Sequence, residues 1–314
     1  MVNAVPRAVP SKAYDGASPV GGPGPSGRTF SLTKHEGAGN DFLVLLDPDR
    51  SWEPSAAQVR AACDRTRGVG ADGLIVGRRS GSGRGAPPEA RGSDGPVATD
   101  LEMELFNADG TRAEMSGNGV RCLVQAAVDA GLVAPGTVRV STAAGVRSVA
   151  YAPREAGVGE AEVEMGAVRL GAEVPSPLAG TRARAADVGN PHLVLVGDVD
   201  LASLDMGALG SAAEEIVGSP VNVEVVRPGP EPGSLSLRVH ERGVGETSAC
   251  GTGSCAAAAV ARAYGLVGDR VEVVNPGGRL VVALGAGAAG HAVLSGTVRH
   301  VADVVVDEGL VARA

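Results

Sequence analysis

The chain has 314 residues, a net charge of −8, 44% hydrophobic residues and only 2% aromatics, so a large core must be built from Val, Leu and Ala. The acidic balance and the lack of a basic block or aromatic ladder exclude a positive stacking surface for nucleic acid. No run approaches the roughly 18 apolar residues of a membrane span, which excludes a spanning helix.

Residues 1–28, rich in Pro, Gly, Ser and Ala and without the apolar run of a signal peptide, are expected to form a disordered leader. Alternation from Thr29 to Lys34 predicts the first strand, followed in this half by strands near 42–47, 73–77, 101–106, 138–142 and 147–151. Residues 78–99 are low in complexity and are expected to be a surface insertion. Further strands are expected near 162–166, 182–188, 192–197, 221–227, 235–241, 271–275 and 279–284, with helices near 55–65, 117–130, 208–217 and 252–264. The stretch 291–306 reads as strand and is expected to return to the first half. Mixed strands around few helices, without regular βαβ alternation, disfavour a doubly wound sheet.

Cys63, Cys122, Cys250 and Cys255 form no Cys-x-x-Cys pair, and no His cluster stands at zinc-ligand spacing, so no metal is expected. Cys63 and Cys122 read as small buried apolar residues. The chain is expected to be cytoplasmic with reduced thiols.

Two segments are versions of one another. Ser116-Gly117-Asn118-Gly119 leads into an apolar stretch that stops at Gly131-Leu132-Val133, and Cys250-Gly251-Thr252-Gly253 into an Ala-rich one that stops at Gly265-Leu266-Val267, 134 positions later. Val138-Arg139-Val140 before Gly145 matches Val271-Glu272-Val273 before Gly278. Asn40 precedes Ser116 by 76 positions and Asn190 precedes Cys250 by 60, a difference of 16 that the insertion accounts for. The duplication predicts two halves, 29–148 (completed by 297–314) and 149–296, that face each other with residue 116 opposite residue 250.

Each glycine-rich loop opens a helix, where backbone N–H groups and the helix N-terminus favour an anion. Two facing helix starts can hold one carboxylate. The same position is expected to lower the pKa of Cys250 and let it act as a base. A plainer reading makes each loop a turn with Ser or Cys as N-cap. Asn40, Asn107 and Asn190 are also good turn residues, and Glu241 with Arg242 could form a surface ion pair.

The chain resembles the diaminopimelate epimerase family. The resemblance is carried by His35-Glu36-Gly37-Ala38-Gly39-Asn40-Asp41-Phe42, Arg67-Gly68-Val69-Gly70-Ala71-Asp72-Gly73, Phe106-Asn107-Ala108-Asp109-Gly110 and Ser116-Gly117-Asn118-Gly119-Val120-Arg121-Cys122. It continues with Gly189-Asn190-Pro191-His192 and with Glu241-Arg242-Gly243 through Ala249-Cys250-Gly251-Thr252-Gly253, so it covers nearly the whole chain. It implies an α/β fold of the α+β type: two pseudo-symmetric domains, each a mixed β-sheet wrapped around a central α-helix, with the active site in the cleft between them. It implies cofactor-independent interconversion of LL- and meso-diaminopimelate, in lysine and peptidoglycan precursor biosynthesis, by proton transfer on both faces of the α-carbon, in a homodimer. Cys250 falls on one catalytic position. Asn40, Asn107, Asn190, Asn222, Glu241 and Arg242 would hold the distal end or the α-amino group, Gly117, Asn118, Gly251 and Thr252 the α-carboxylate, and His192 would stand near the reacting centre.

Ser116 occupies the second catalytic position, where the family has a cysteine. A serine hydroxyl ionises several units above a thiol, which costs on the order of 5 kcal/mol, or about a thousandfold in unassisted rate. Cys122, six positions along the same helix, points away and is not a substitute. Glu114 or a water relay could assist. Gly73 is a milder departure, since some relatives place a polar ligand there. A racemase of another amino acid, a hydroxyproline-type dehydratase on the same scaffold and a non-catalytic binding homologue remain alternatives. No dinucleotide turn is present, and Lys12 and Lys34, the only lysines, lie outside the loops, so no cofactor is implied. Closure over substrate is expected about a hinge near 148–152.

Overall fold

A computed structural model describes residues 29–80, 91–92, 95–96, 98–287 and 290–307. The expected leader and most of the low-complexity segment lie outside the described residues. The segment does not begin at 78. Arg78 and Arg79 end the strand Gly73–Arg79, and Arg78 is buried, its guanidinium paired with Asp47 at 3.3 Å and Glu104 at 2.6 Å. Composition marked the two arginines as polar surface, whereas two acidic partners make burial possible.

Among the described residues four α-helices stand among the strands: α1 (Ala56–Cys63), α2 (Gly117–Asp129), α3 (Met206–Val217) and α4 (Gly251–Ala263). The first half is a ring around α2. Thr29–Gly37 lies antiparallel to Asn40–Leu46, then follow Gly73–Arg79 (parallel), Leu101–Asn107 (antiparallel), Gly136–Thr142 (parallel), and Gly145–Pro153 and Val158–Gly166 (both antiparallel). Ala292–Asp307 pairs with Val158–Gly166 and with Thr29–Gly37, which closes the ring at eight strands.

The second half repeats the order. Arg182–Asp187, Pro191–Val196, Asn222–Pro228, Leu235–Glu241, Arg270–Asn275, Gly278–Ala283 and Ala292–Asp307 pair in the same succession of antiparallel and parallel ladders around α4. The protein therefore consists of two pseudo-symmetric domains, each a mixed sheet wrapped around one helix.

Period-two alternation explains how these strands bury both faces. Phe42 and Val44 point in to α2 while Leu43 and Leu45 pack outward with Val59 and Ala62 of α1. In the second half Val194 and Val196 point in to α4, and Leu193 and Leu195 meet Met206 and Ala213 of α3. Both central helices are buried on nearly every side; α4 is apolar nearly all round, whereas α2 carries Asn118, Arg121 and Gln125 into the interior. Ala256–Ala259 combines high helix propensity with little side-chain bulk, so strands close tightly on α4.

Two strands belong to both domains. Val158–Gly166 and Ala292–Asp307 pair with each other along their shared length, and each also pairs into a domain sheet. Residues 148–152 do not form a hinge: they sit inside Gly145–Pro153, with Ser148 opposite Arg139 and Val149 opposite both Val138 and Val163. Bending there would break ladders on both sides. Two small strands, Arg112–Ala113 and Gly245–Thr247, escape sequence reading because so short a run has no periodicity.

Candidate active site

Ser116 and Cys250 cap the two enclosed helices in the same way. Ser116 has φ −134° and ψ 124°, and its Oγ accepts from the Gly119 N–H at 3.0 Å. Cys250 has φ −124° and ψ 121°, and its Sγ accepts from the Gly253 N–H at 3.4 Å. The helix starts touch. A Cβ on Gly251 would lie 3.4 Å from Gly117 Cα and 2.9 Å from Leu294 Cδ2, and one on Gly117 would lie 3.0 Å from the same leucine atom. Glycine at 117 and 251 is thus a condition of the approach, and Leu294, from a strand of both sheets, is the floor beneath it.

Above this floor lies a cleft of about 500 Å³. Ser116, Asn40, Asn107, Gly117 and Asn118 line it from the first domain. Cys250, Asn190, Asn222, Glu241, Arg242, Gly251 and Thr252 line it from the second. His192 is buried behind Asn190. Glu114 lines the same cleft near Ser116.

Backbone and neighbours aim these side chains. Asn40 follows a tight turn in which Ala38 (φ 54°) and Gly39 (φ 76°) are both left-handed, and that turn butts against Gly277 of the other domain. Its Nδ2 donates to Asp72 at 2.7 Å, and Asp72 is held by Arg65 at 2.7 Å. Burial opposes ionisation of the adjacent Asp41, but hydrogen bonds and charge from Arg65 and Lys34 win and hold it at about 2. Asn118 Nδ2 lies 3.4 Å from Asn40 Oδ1 and 3.4 Å from Ala249 O, so one carboxamide bridges the domains. Asn222 Oδ1 accepts from the Arg242 N–H at 2.8 Å, and Thr247 Oγ1 donates to Glu241. Among the described residues no ion pair joins Glu241 to Arg242.

Behind Cys250 runs a chain of polar contacts. Glu224 meets His192 Nδ1 at 2.7 Å, His192 Nε2 meets Asn190 Oδ1 at 2.9 Å, Asn190 Nδ2 donates to Thr252 Oγ1 at 3.4 Å, and Thr252 Oγ1 lies 3.4 Å from Cys250 Sγ. Glu224 is fully buried and among the described residues its Oε2 has no hydrogen-bond partner. A Cβ on Gly253 would come within 2.5 Å of its Oε1, which is why glycine stands there.

This surrounding reverses the expectation that the helix start lowers the Cys250 pKa. Burial pushes the thiol well above its ordinary value, and the charges of Glu241 and Glu224 push it further, against hydrogen bonds from Thr252 and Gly253. A helix start offers about half a charge, too little to outweigh lost hydration and two nearby carboxylates. Burial also raises Glu241, opposed by its bonds to Thr247 and Cys250. Cys122, fully buried, is pushed up to about 12.

At Gly73 a side chain would collide, its Cβ 2.5 Å from Phe106 O and 3.2 Å from the Phe42 ring. Asp72, one residue earlier, lines the cleft instead. Sequence reasoning passed over Asp72, although it stands inside the segment Gly70-Ala71-Asp72-Gly73. It also passed over Glu224, whose signal was a lone charge inside the apolar run Val221–Val226. Among the described residues no group of three His, Cys, Asp or Glu side chains is placed to hold a metal, and no helix is long and apolar enough to cross a membrane.

Known proteins with this organisation are numerous. Among solved structures, a hydroxyproline epimerase from Agrobacterium vitis with bound trans-4-hydroxy-L-proline superposes with a TM-score of 0.64 at 17% identity, over 89% of this chain and 93% of the other. A phenazine biosynthesis protein of the PhzF family from Bacillus anthracis reaches 0.65 at 15% identity, over 89% and 99% of the two chains. These likenesses establish the fold. Sequence relatives are nearer: a diaminopimelate epimerase of Rhodococcus jostii is 38% identical over 287 residues, 89% of this chain and 98% of its own length. One of Mycolicibacterium smegmatis is 42% identical over 261 residues, 80% of this chain and 89% of its own. The diaminopimelate epimerase family model matches residues 32–171 and 184–302, and the chain belongs to that family of isomerases.

Proposed function

We propose that this protein interconverts LL- and meso-diaminopimelate without pyridoxal phosphate or any other cofactor, with Cys250 serving one face of the α-carbon and Ser116 the other. The observation that carries this reading is the pair of equivalent caps, Ser116 and Cys250, at two helix starts that meet over Leu294 and open into one cleft. The α-carboxylate would lie between the starts, bound by N–H groups of Gly117, Asn118, Gly251 and Thr252. The same dipoles would stabilise the carbanion as water is expelled. Asn40, Asn107, Asn190, Asn222, Glu241 and Arg242 would take the amino group and the distal end.

Cys250 holds its proton, because burial and the charges of Glu241 and Glu224 disfavour the thiolate. An ammonium group of the substrate placed against Glu241 would offset one of those charges, so thiolate formation would be coupled to binding. Ser116 is the weaker partner. As an acid it can deliver a proton. As a base it needs help, for which Glu114, which lines the same cleft, is a candidate. A cytoplasmic homodimer with reduced thiols is part of this reading.

The hydroxyl at 116 favours one second reading, a dehydratase or a one-sided enzyme on the same scaffold, because a single strong base suffices for elimination. Incubation of the reduced protein with LL-diaminopimelate in D₂O, followed by NMR and a chiral product assay, separates the two. Inversion with deuterium incorporated supports the epimerase. Exchange without inversion means that Ser116 does not serve its face, and absence of exchange overturns the proposed substrate.

A further inference from the structure

Arg121 is fully buried on α2, yet among the described residues no carboxylate forms an ion pair with it. Burying a guanidinium without a counter-ion is costly, and burial lowers its pKa to about 10. The fold nevertheless makes room. A Cβ on Gly37 would lie 3.0 Å from Nη2 and one on Gly296 would lie 3.2 Å from it, so two strands carry no side chain where the guanidinium sits. Residue 255, its equivalent in α4 at the same offset of 134, is Cys255, so the repeated architecture does not require an arginine.

Helical side chains lean toward the N-terminus, and Arg121 leans back under the Ser116 loop. Nη1 donates to Gly117 O at 3.3 Å and Nη2 to Asn118 Oδ1 at 2.8 Å, while among the described residues Nε has no hydrogen-bond partner. A guanidinium only donates. By occupying Asn118 Oδ1 it decides which way that carboxamide faces and turns the NH₂ toward Asn40, Ala249 and the cleft. Without it, only the two 3.4 Å contacts to Asn40 Oδ1 and Ala249 O would oppose a flip that presents the amide oxygen to an incoming carboxylate.

We infer that Arg121 is a positioning residue for anion binding: it holds the Asn118 amide donor-side out and places a buried cation beneath the first helix start. The inference rests on the proposed reading only in that the bound anion is an amino-acid carboxylate.

The test compares Arg121→Gln, Arg121→Lys and the control Cys255→Ala with the parent chain in two measurements. One is the steady-state epimerisation of LL-diaminopimelate. The other is the ¹⁵N–¹H signals of the Asn118 side-chain amide, which need no turnover. Arg121→Gln is expected to raise KM about tenfold or more with a smaller change in kcat, since it loses a charge-assisted contact and the amide's orientation. Arg121→Lys should recover part of that loss, and Cys255→Ala should keep the parent KM. The two Asn118 NH₂ signals, kept distinct by slow rotation about the C–N bond, should each shift away from their parent positions in Arg121→Gln. Parent-like KM and amide signals in Arg121→Gln would overturn the inference. So would a rise in KM as large in Cys255→Ala. If Arg121→Gln does not fold, a parent-like KM in Arg121→Lys overturns it. If the parent does not act on diaminopimelate the proposed substrate fails, and the amide signals still decide the role of Arg121.

Discussion

The two domains follow one plan but bury their polar side chains in different places. In the first, polarity lies along the enclosed helix. Arg121 and Gln125 are buried on α2, and Gln125 contacts buried His35 at 2.9 Å. Their counterparts in the second domain are Cys255 and Ala259 on α4, by the offset of 134, and Ala185, by the offset of 150 that relates Asn40 to Asn190. In the second domain polarity lies behind the cap. His192 and Glu224 are buried near Cys250, and the matching ladder positions of the first domain hold Phe42 and Ile75. A cation thus sits beneath the serine loop and a carboxyl group beneath the cysteine loop. Duplication supplied the scaffold, and divergence of buried charge made the two faces of the cleft chemically unlike.

The largest expected effect breaks the comparison outright. Cys250→Ala should lower solvent exchange of the α-proton of LL-diaminopimelate by about a thousandfold or more, and persistent exchange would remove Cys250 from the chemistry. Ser116→Cys would make the caps alike. It should raise kcat, by up to about a thousandfold if the serine only tolerates the reaction. Unchanged or lower activity would mean that the pocket is adapted to a hydroxyl.

Smaller effects separate the buried groups. His35 is held neutral by burial at about 4, against 6.5 when exposed. A depressed base contributes stability that is present above the exposed value and is lost as pH falls through the folded one. Unfolding free energy should therefore drop by about 3 kcal/mol between pH 6.5 and 4 from this residue, and His35→Gln should flatten that part of a denaturation series. Cys63, Cys122 and Cys255, pushed to about 12, stay protonated in the fold after exposed thiols ionise. Stability should fall above about pH 8.5, by at most roughly 1.4 kcal/mol per pH unit per thiol, and Cys255→Ala should lessen the slope. Finally, Glu224→Gln removes a negative charge near Cys250 and should move the pH midpoint of its alkylation downward. An upward move would mean that Glu224 acts chiefly by holding His192.

Much of the site was legible because it lies in loops whose residue types carry their own reason. Ser116-Gly117-Asn118-Gly119 and Cys250-Gly251-Thr252-Gly253 announced helix starts that accept a backbone close by, and the structure brings them together through Gly117 and Gly251. Arg121 and Glu224 were less legible. Each sits inside an apolar run, and nothing local says which distant group will meet it. The helix-start argument fails for the Cys250 pKa for the same reason, since Glu241 and Glu224 reach it only through the fold. Composition alone places Arg78 in a surface segment because its partners, Asp47 and Glu104, are remote in the chain.

What the sequence alone determined is what repeats or is periodic: two similar halves, the enclosed helices, the two caps facing one another and the family to which they belong. These follow from local propensity and spacing, which a chain carries wherever it folds. Only the tertiary structure decided the sharing of Val158–Gly166 and Ala292–Asp307 between sheets, the absence of a hinge at 148–152 and the protonation of Cys250. Each depends on which remote strands pair and which charges lose their water together, and those are properties of the packed whole.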